Sequence, residues 1–337
     1  MYIDRILVLG YFGYVTNQID GQTIKTQNVF NIFHKNCQRV EYFDTQQFKT
    51  NKFSIFNLFV KILKNSKIVY LPAQNNLLYI FPLLWLLCFF TNKKIYYFVI
   101  GGWLLYFVTN KKIHLFLLKR INGIFTETSE LRDSLIREGF KNVHVIPNFK
   151  FQNYNKIECQ DLNKDLVFFS RLNKKKGLST IFLLLSKLKE DINIDFYGPI
   201  NEEDSEYFYK ELLKYGNASY KGVLKSDEIV PVLSKYKMLL FPTQYYTEGL
   251  PGVILDAYAA NLPIIATEWK YAHEFILDGV TGFITSWGNP DEFVNKVLEL
   301  IDKPLKISEV RNNINTYSKK FSVDSVWSHI EQIVFKT

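Results

Sequence analysis

The feature that narrows the fold most is a repeated alternation. Short apolar runs, several of them closed by glycine or proline, are separated by stretches of helical period. In the first half, runs at 5–9, 40–43, 68–71, 95–100, 123–126 and 143–146 read as strands, with helices over 23–33 and 129–138 and further helical segments between. The pattern resumes with strands at 165–170, 194–197, 236–243 and 262–267, a helix over 178–189 and an amphipathic last helix at 323–335. Strands separated by helices pair in parallel through crossovers, which predicts a doubly wound α/β architecture. Segment 150–164 is polar and lacks an apolar period, so it reads as a linker. It divides the chain into domains 1–150 and 151–319, followed by a terminal segment of about 320–337.

Composition excludes several classes. The 337 residues suffice for two domains, and 47% hydrophobic with 22% charged residues marks a globular chain. The formal charge of +8 favours anionic partners: nucleotide, lipid phosphate, membrane surface or nucleic acid. Cys37, Cys88 and Cys159 are few and scattered, forming neither a disulfide framework nor a metal-spaced set, which suits the cytoplasm. The start of the chain leads into a strand and does not read as a signal peptide. The apolar run 77–90 is about fourteen residues, short of the roughly twenty that span a bilayer, and reads as a buried helix ahead of an interfacial one. Phosphate-loop, dinucleotide, zinc-protease and serine-hydrolase motifs are all missing, as is an Asp-x-Asp metal pair, so no metal is expected. Basic pairs Lys93-Lys94, Lys111-Lys112 and Lys119-Arg120 come with no nucleic-acid motif and fit anionic lipid headgroups better, solvated lysines being the plain alternative.

The residues that carry chemistry lie in the second half. Glu248 and Asp256 bracket the start of a helix, with Gly249, Leu250, Pro251, Gly252 and Val253 between them. Begun at Pro251, the helix would carry Gly249, Gly252 and Asp256 on one face, at i, i+3 and i+7. Two missing side chains would leave its N-terminus open to an anion, with Asp256 and Glu248 beside it for sugar hydroxyls. An ordinary capped helix with a solvated Asp256 satisfies the same pattern. Arg171 ends a strand and Lys176-Gly177 opens the next helix, which places two cations where a diphosphate would need them. A solvated Lys174-Lys175-Lys176 run is the alternative.

Together these stretches resemble the C-terminal domain of the retaining glycosyltransferases of family-4 type, which have the GT-B fold. The family shows Glu-x7-Glu, a small-residue helix, a strand beginning at proline and a closing Gly-x-x-Gly; here Glu248, Asp256, Pro263, Gly279 and Gly282 stand in those places. Asp256 replaces the second Glu, and Asn261 stands where glycine is usual. Arg171-Leu172 through Lys176-Gly177 is similar to the family's Arg-Leu-x(n)-Lys-Gly. Thr128-Ser129-Glu130 through Leu135, with Gly139 and Val145-Ile146-Pro147-Asn148, resembles the segment closing the N-terminal domain. Gly21-Gln22-Thr23 resembles its donor-facing glycine loop with one glycine instead of two, and a capped helix start explains it nearly as well. At Gly101-Gly102-Trp103 many relatives carry His or Asp, so no catalytic residue carries over there.

The resemblance implies two Rossmann-like domains facing a central cleft, with the last helix packing back on the first. It implies a metal-independent hexosyltransferase that moves a sugar, with retention, from a nucleoside diphosphate sugar (UDP-sugar in expectation), a substrate and not a cofactor. Glu248, Arg171 and Lys176 would be catalytic. Asp256, Gly249, Leu250, Gly252, Val253, Gly21 and Gly198 would bind the donor. Gly101, Gly102, Trp103, Lys93, Lys94, Lys111 and Lys112 would face the acceptor or membrane. The acceptor expected is a lipid-linked oligosaccharide of capsule, lipopolysaccharide or exopolysaccharide assembly, reached by a cytoplasmic protein held peripherally at the inner membrane face. A nucleotide-sugar epimerase on the same fold, or a non-catalytic nucleotide-sugar-binding subunit, are the alternatives.

Overall fold

The computed structural model describes residues 2–15, 20–151 and 163–336. It divides into two compact units, Met1–Phe151 with Val323–Thr337, and Gln152–Ser322. Each holds one six-stranded sheet. In the first unit the strands are β1 (Tyr2–Gly10), β2 (Cys37–Asp44), β3 (Lys67–Leu71), β4 (Lys94–Phe98), β5 (Gly123–Thr126) and β6 (Val143–Val145), in the order β2-β1-β3-β4-β5-β6. In the second they are β7 (Lys164–Phe169), β8 (Ile194–Tyr197), β9 (Ala218–Tyr220), β10 (Tyr236–Phe241), β11 (Ile264–Thr267) and β12 (Gly282–Thr285), in the order β12-β11-β10-β7-β8-β9. Every pairing is parallel. Central strands such as β3 and β11 are buried at every position, because helices cover both faces of a parallel sheet.

The two faces of the first sheet are covered unequally. Helices Gly21–Asn36 and Val323–Phe335 pack on one face through Val29, Ile32, Phe33, Val326, Ile330 and Val334. The last helix is fixed there by Trp327 edge-on to Phe33 at 5.6 Å and by the Tyr96 hydroxyl donating to the Val334 carbonyl at 3.3 Å. Helices Ser54–Lys64, Phe81–Phe90 and Lys112–Leu118 cover the other face, burying Leu58, Ile62, Phe81, Leu84, Cys88, Leu117 and Leu118.

Run 77–90 departs from the single buried helix expected of it. It forms the end of Gln74–Tyr79 and then Phe81–Phe90, and while Leu77, Phe81, Leu84 and Cys88 are buried, Leu83, Leu86, Phe89 and Phe90 are exposed by 65%, 49%, 64% and 76%. A sequence apolar all round carries no period from which the covered face could be read. Strand β9 and helix Glu202–Leu212 were absent from the sequence reading: the strand is three residues long and the helix strongly polar. Most of linker 150–164, with Cys159, lies outside the described residues.

At the carboxyl edge of the first sheet, Lys25 is buried and pairs with Glu127 while donating to the Val99 carbonyl at 2.7 Å. Burial pulls its pKa below the ordinary ammonium range, and the Glu127 charge opposes that shift. Removing one partner strands the other charge in the interior, so Glu127→Ala should cost about 3–5 kcal/mol of unfolding free energy. The joint replacement Lys25→Met with Glu127→Leu should cost clearly less, since it removes both charges. Urea melts of the three proteins measure the difference; equal losses would show that the pair is not the source.

Candidate functional site

In the second sheet the chain runs outward from β7 through β8 to β9, then returns to lay β10 on the other side of β7. The carboxyl ends of β7 and β10 are therefore a topological switch point, where open α/β sheets leave a crevice for ligands. Two loops leave it, 170–177 after β7 and 242–251 after β10.

Backbone geometry holds the loops together. Asn173 caps the turn Lys174–Lys176 by accepting from the Lys176 N–H at 2.8 Å. The turn ends at Gly177 with φ +90°, where an added Cβ would stand 2.0 Å from the Pro242 carbonyl oxygen. Glycine is what permits this approach. Next to it, the Gln244 N–H donates to the Lys175 carbonyl at 2.9 Å. The Lys176 ammonium is thereby brought onto Glu248, with which it forms an ion pair, the two side chains being 15% and 23% exposed. Thr243 donates its hydroxyl to the other carboxylate oxygen of Glu248 at 3.3 Å and accepts from the Tyr245 N–H at 3.2 Å. Thr267, at the end of β11, donates to the Thr243 carbonyl at 2.6 Å. Tyr245 lies under the Lys176 ammonium at 4.7 Å from the ring centre. An ammonium has three donors, so the pair with Glu248 leaves capacity for a second anion.

The helix after this loop is Gly252–Ala259, with Pro251 as its N-cap. Pro251 thus precedes the helix and Gly249 lies outside it, so the expected three-residue face reduces to Gly252 and Asp256, one turn apart. No side chain caps the first turn. Uncapped N–H groups beside a glycine are an anion-binding arrangement, here adjoining the Lys176–Glu248 loop. The Gly249 carbonyl accepts from the Trp269 indole at 3.2 Å, Leu250 is buried in the core and Val253 packs on its edge. Asp256 is 2% exposed, which overturns the solvated alternative.

Of the remaining expected residues, Arg171 and Gly198 stand at the carboxyl edge of the same sheet and the others lie in the first unit. Arg171 follows the end of β7 and is exposed. At Gly198, φ is +130° and an added Cβ would stand 1.9 Å from the Ser170 carbonyl oxygen. Its N–H donates to Gly222 and its carbonyl accepts from the Tyr220 hydroxyl, so Gly198 serves the packing of the β7 and β8 loops and its N–H has no hydrogen left to give a donor phosphate. Gly21 opens helix Gly21–Asn36 behind an Asp20–Thr23 capping box, the ordinary capped start that the sequence left open. Gly101, Gly102 and Trp103 follow the carboxyl end of β4, whereas Lys93 and Lys94 sit at its amino end. A five-residue strand separates them by about 17 Å, so they do not form one patch. Lys111 and Lys112 are exposed at the start of helix Lys112–Leu118. Among the described residues no group of three His, Cys, Asp or Glu is placed to hold a metal.

Thr243, Asn173 and Tyr245 were not singled out from the sequence. Asn173 had a readable signal, an Asn three residues before the Lys whose N–H it caps. Thr243 and Tyr245 gained significance only through the loop conformation. Thr243 and Thr267 also line a concavity of about 540 Å³ with Thr180, Gln244 and Trp287, at the carboxyl edge of the same sheet.

Comparison with known proteins bears on this site. Residues 150–321 match the model of the family described as glycosyl transferases group 1. An uncharacterized glycosyltransferase, MJ1178 of Methanocaldococcus jannaschii, is 31% identical over 160 residues, 46% of this chain and 43% of that protein. The capsular polysaccharide biosynthesis glycosyltransferase CapM of Staphylococcus aureus is 23% identical over 213 residues, 63% of this chain and 52% of that protein. The matched regions thus span about half of these relatives or less. The crystal structure of Anabaena Alr3699/HepE in complex with UDP superposes with a TM-score of 0.81 at 16% identity, covering 99% of this chain and 100% of that one. The fold is that of GT-B glycosyltransferases.

The Gly177 turn supplies a direct check on this geometry. Gly177→Ala forces a side chain into a left-handed backbone, costing about 1–3 kcal/mol before the clash with Pro242 is counted. It should lower the melting temperature and separate Lys176 from Glu248. Gly216→Ala, with no atom within 4 Å of the added Cβ, should change little. Calorimetric scans compare them; a Gly177→Ala protein as stable as Gly216→Ala would refute the close approach.

Proposed function

We propose, from the fact that this chain belongs to the glycosyl transferases group 1 family, that it transfers a hexosyl unit with retention from a UDP-sugar to an acceptor hydroxyl. The observation that carries this reading is the Lys176–Glu248 pair at the switch point beside an uncapped helix N-terminus. Lys176, Arg171 and the N–H groups of Gly252 and Val253 receive the diphosphate. Glu248 holds sugar hydroxyls, and Asp256 contributes to the ribose side. In the reacting complex the acceptor oxygen bonds to the anomeric carbon as the bond to the β-phosphate breaks. The acceptor proton leaves with a phosphate oxygen. Positive charge at the departing diphosphate does the work a divalent ion does elsewhere, and the rest is positioning.

The acceptor is a lipid-linked oligosaccharide of capsule, lipopolysaccharide or exopolysaccharide assembly. Support for the acceptor comes from the relative named for capsular polysaccharide biosynthesis, and support for the donor from the Anabaena structure in complex with UDP. A protein acting on such an acceptor works at a membrane surface, and no helix among the described residues is long and apolar enough to cross one. It would be held peripherally at the inner face of the plasma membrane.

Lys176→Ala and Arg171→Ala should each lower kcat by roughly two to three decades, the value of one donor aimed at a developing anion. Near-normal turnover in both would remove them from the site. Release of free nucleotide from a panel of UDP-sugars, with and without EDTA, tests donor class and metal independence together. Loss of activity in EDTA that magnesium restores would contradict the proposed charge stabilisation, and sugar isomerisation without acceptor would favour an epimerase. Asp256→Ala should raise the donor KM more than it lowers kcat, because ribose lies away from the bond that breaks. A collapse of kcat at constant KM would place Asp256 elsewhere.

A further inference from the structure

The charge of this chain is concentrated in one stretch. Residues 45–126 contain eleven Lys or Arg and neither Asp nor Glu, so the remainder of the chain is net acidic although the whole carries +8. The same stretch forms the three helices that cover one face of the first sheet. Their inner sides are buried, but their outer sides are apolar too: Phe56 is 68% exposed and Phe59 48% on the first, Leu83 65% and Phe90 76% on the second, Ile113 70% and Phe116 51% on the third. The outer side of a helix on an α/β sheet is ordinarily polar, and an exposed apolar surface repeated over neighbouring helices marks a contact surface.

Between the end of helix Phe81–Phe90, the start of β4 and the segment 120–122 that leads into β5 lies a cavity of about 420 Å³. Lys93, Lys94 and Arg120 line it together with Trp85 and Phe89, and no carboxylate does. Lys93 donates to the Leu63 carbonyl at 3.0 Å, tying the end of the first helix to this rim. Arg120 rests on the Phe116 ring at 3.5 Å. None of the three cations has a carboxylate partner among the described residues.

We propose that this face docks on an anionic phospholipid bilayer: the outward apolar side chains enter the interface and the Lys93–Lys94–Arg120 cavity holds a lipid phosphate. The combination selects the occupant. A soluble phosphate would need the cations but not the ring of exposed aromatic residues, and a protein partner would not require so long a stretch without an acid. Aromatic side chains beside basic ones are what a bilayer interface accepts. The cavity opens at the amino end of β4, away from Gly101–Trp103 at its carboxyl end, so it is a docking site distinct from the acceptor position. This deepens the membrane part of the functional reading and rests on it.

Flotation of the full chain with vesicles of phosphatidylglycerol or of phosphatidylcholine, in 0.1 M and 1 M NaCl, tests it. Binding should favour phosphatidylglycerol by roughly tenfold or more, since each basic residue at an anionic surface adds to attraction. A fraction should survive 1 M salt, because apolar insertion is not screened as charge is. Lys93→Glu/Lys94→Glu should abolish the lipid preference, and Phe56→Ser/Phe90→Ser should remove the salt-resistant fraction; Lys94, Phe56 and Phe90 are exposed and Lys93 is half-buried, so circular dichroism checks that each variant folds. With brominated acyl chains, tryptophan quenching should fall in Trp85→Phe. Wild-type binding unchanged in both double variants would overturn this face while leaving membrane association standing. No binding to either vesicle would overturn both, and displacement by millimolar inorganic phosphate alone would show a phosphate site without a membrane role. Donor hydrolysis measured without vesicles reports separately on the glycosyltransferase reading.

Discussion

The candidate site depends on one close approach, between the left-handed turn at Gly177 and the carbonyl of Pro242. It joins two loops that are far apart in sequence but leave adjacent parallel strands, β7 and β10. The consequences propagate in order. The turn fixes Lys176, and Lys176 meets Glu248; Thr243 orients the second oxygen of that carboxylate, and Thr267 holds Thr243 from the next strand. Each link is short-range, yet together they register three strand ends. A functional pair of opposite charges is thus built from backbone geometry first and electrostatics second. The ion pair is not what stabilises the loops: both side chains are mostly buried, and the cost of desolvating the two charges offsets their attraction. On the proposed reading its value lies in holding an ammonium, with donors to spare, where a diphosphate would develop charge.

Much of this was legible in the sequence because parallel α/β folds announce themselves twice. Buried strands read as short unbroken apolar runs, and the ligand loops begin where those runs stop, at Ser170 after β7 and at Pro242 after β10. Gly123–Thr126, Ile194–Tyr197 and Val323–Phe335 have the bounds expected of them, since a sharp change in polarity marks both ends. Lys176 and Glu248 could be named as a pair of candidates, though not as partners, because nothing in one dimension reports that residues 72 apart share a hydrogen bond. Gly198 shows the converse. The family resemblance implied a donor-binding role for it, whereas its φ of +130° and packing against Ser170 give it a structural one. Conformation decides between those roles, and sequence position does not encode it.

The run 77–90 was misread for a reason that also explains its use. Amphipathic period tells which side of a helix faces the core, and a helix with no polar side gives no such information. Its outer apolar side chains were free to be retained only if something other than solubility favoured them. The neighbouring helices Ser54–Lys64 and Lys112–Leu118 repeat the pattern with Phe56, Phe59, Ile113 and Phe116. Apart from Lys61, which pairs with Glu41, the lysines of these helices have no acid near them within residues 45–126 of the sequence, and their like charges offset the aggregation risk that exposed apolar surface brings. The same charges would draw the face to an anionic bilayer. On the proposed docking, one arrangement serves both solution behaviour and membrane attachment.

The two acids of the site end up in different surroundings, and this divides their work. Glu248 sits in a loop, about a quarter exposed, with both oxygens engaged by side chains from the neighbouring loop and from its own. Asp256 sits one turn inside helix Gly252–Ala259 and is almost wholly buried. A buried carboxylate must be held by hydrogen bonds, and those bonds limit what it can offer a ligand. Asp is a methylene shorter than the Glu usual in the resembling family, which draws the carboxylate back toward the helix and deepens that burial. The balance therefore moves toward Glu248 as the carboxylate available to hydroxyls, with Asp256 acting at the end of its reach or through a bridging water. On the proposed reading the loop acid adjusts as Lys176 turns to an incoming diphosphate, whereas the buried helix acid is held in place and only sets where the donor lies.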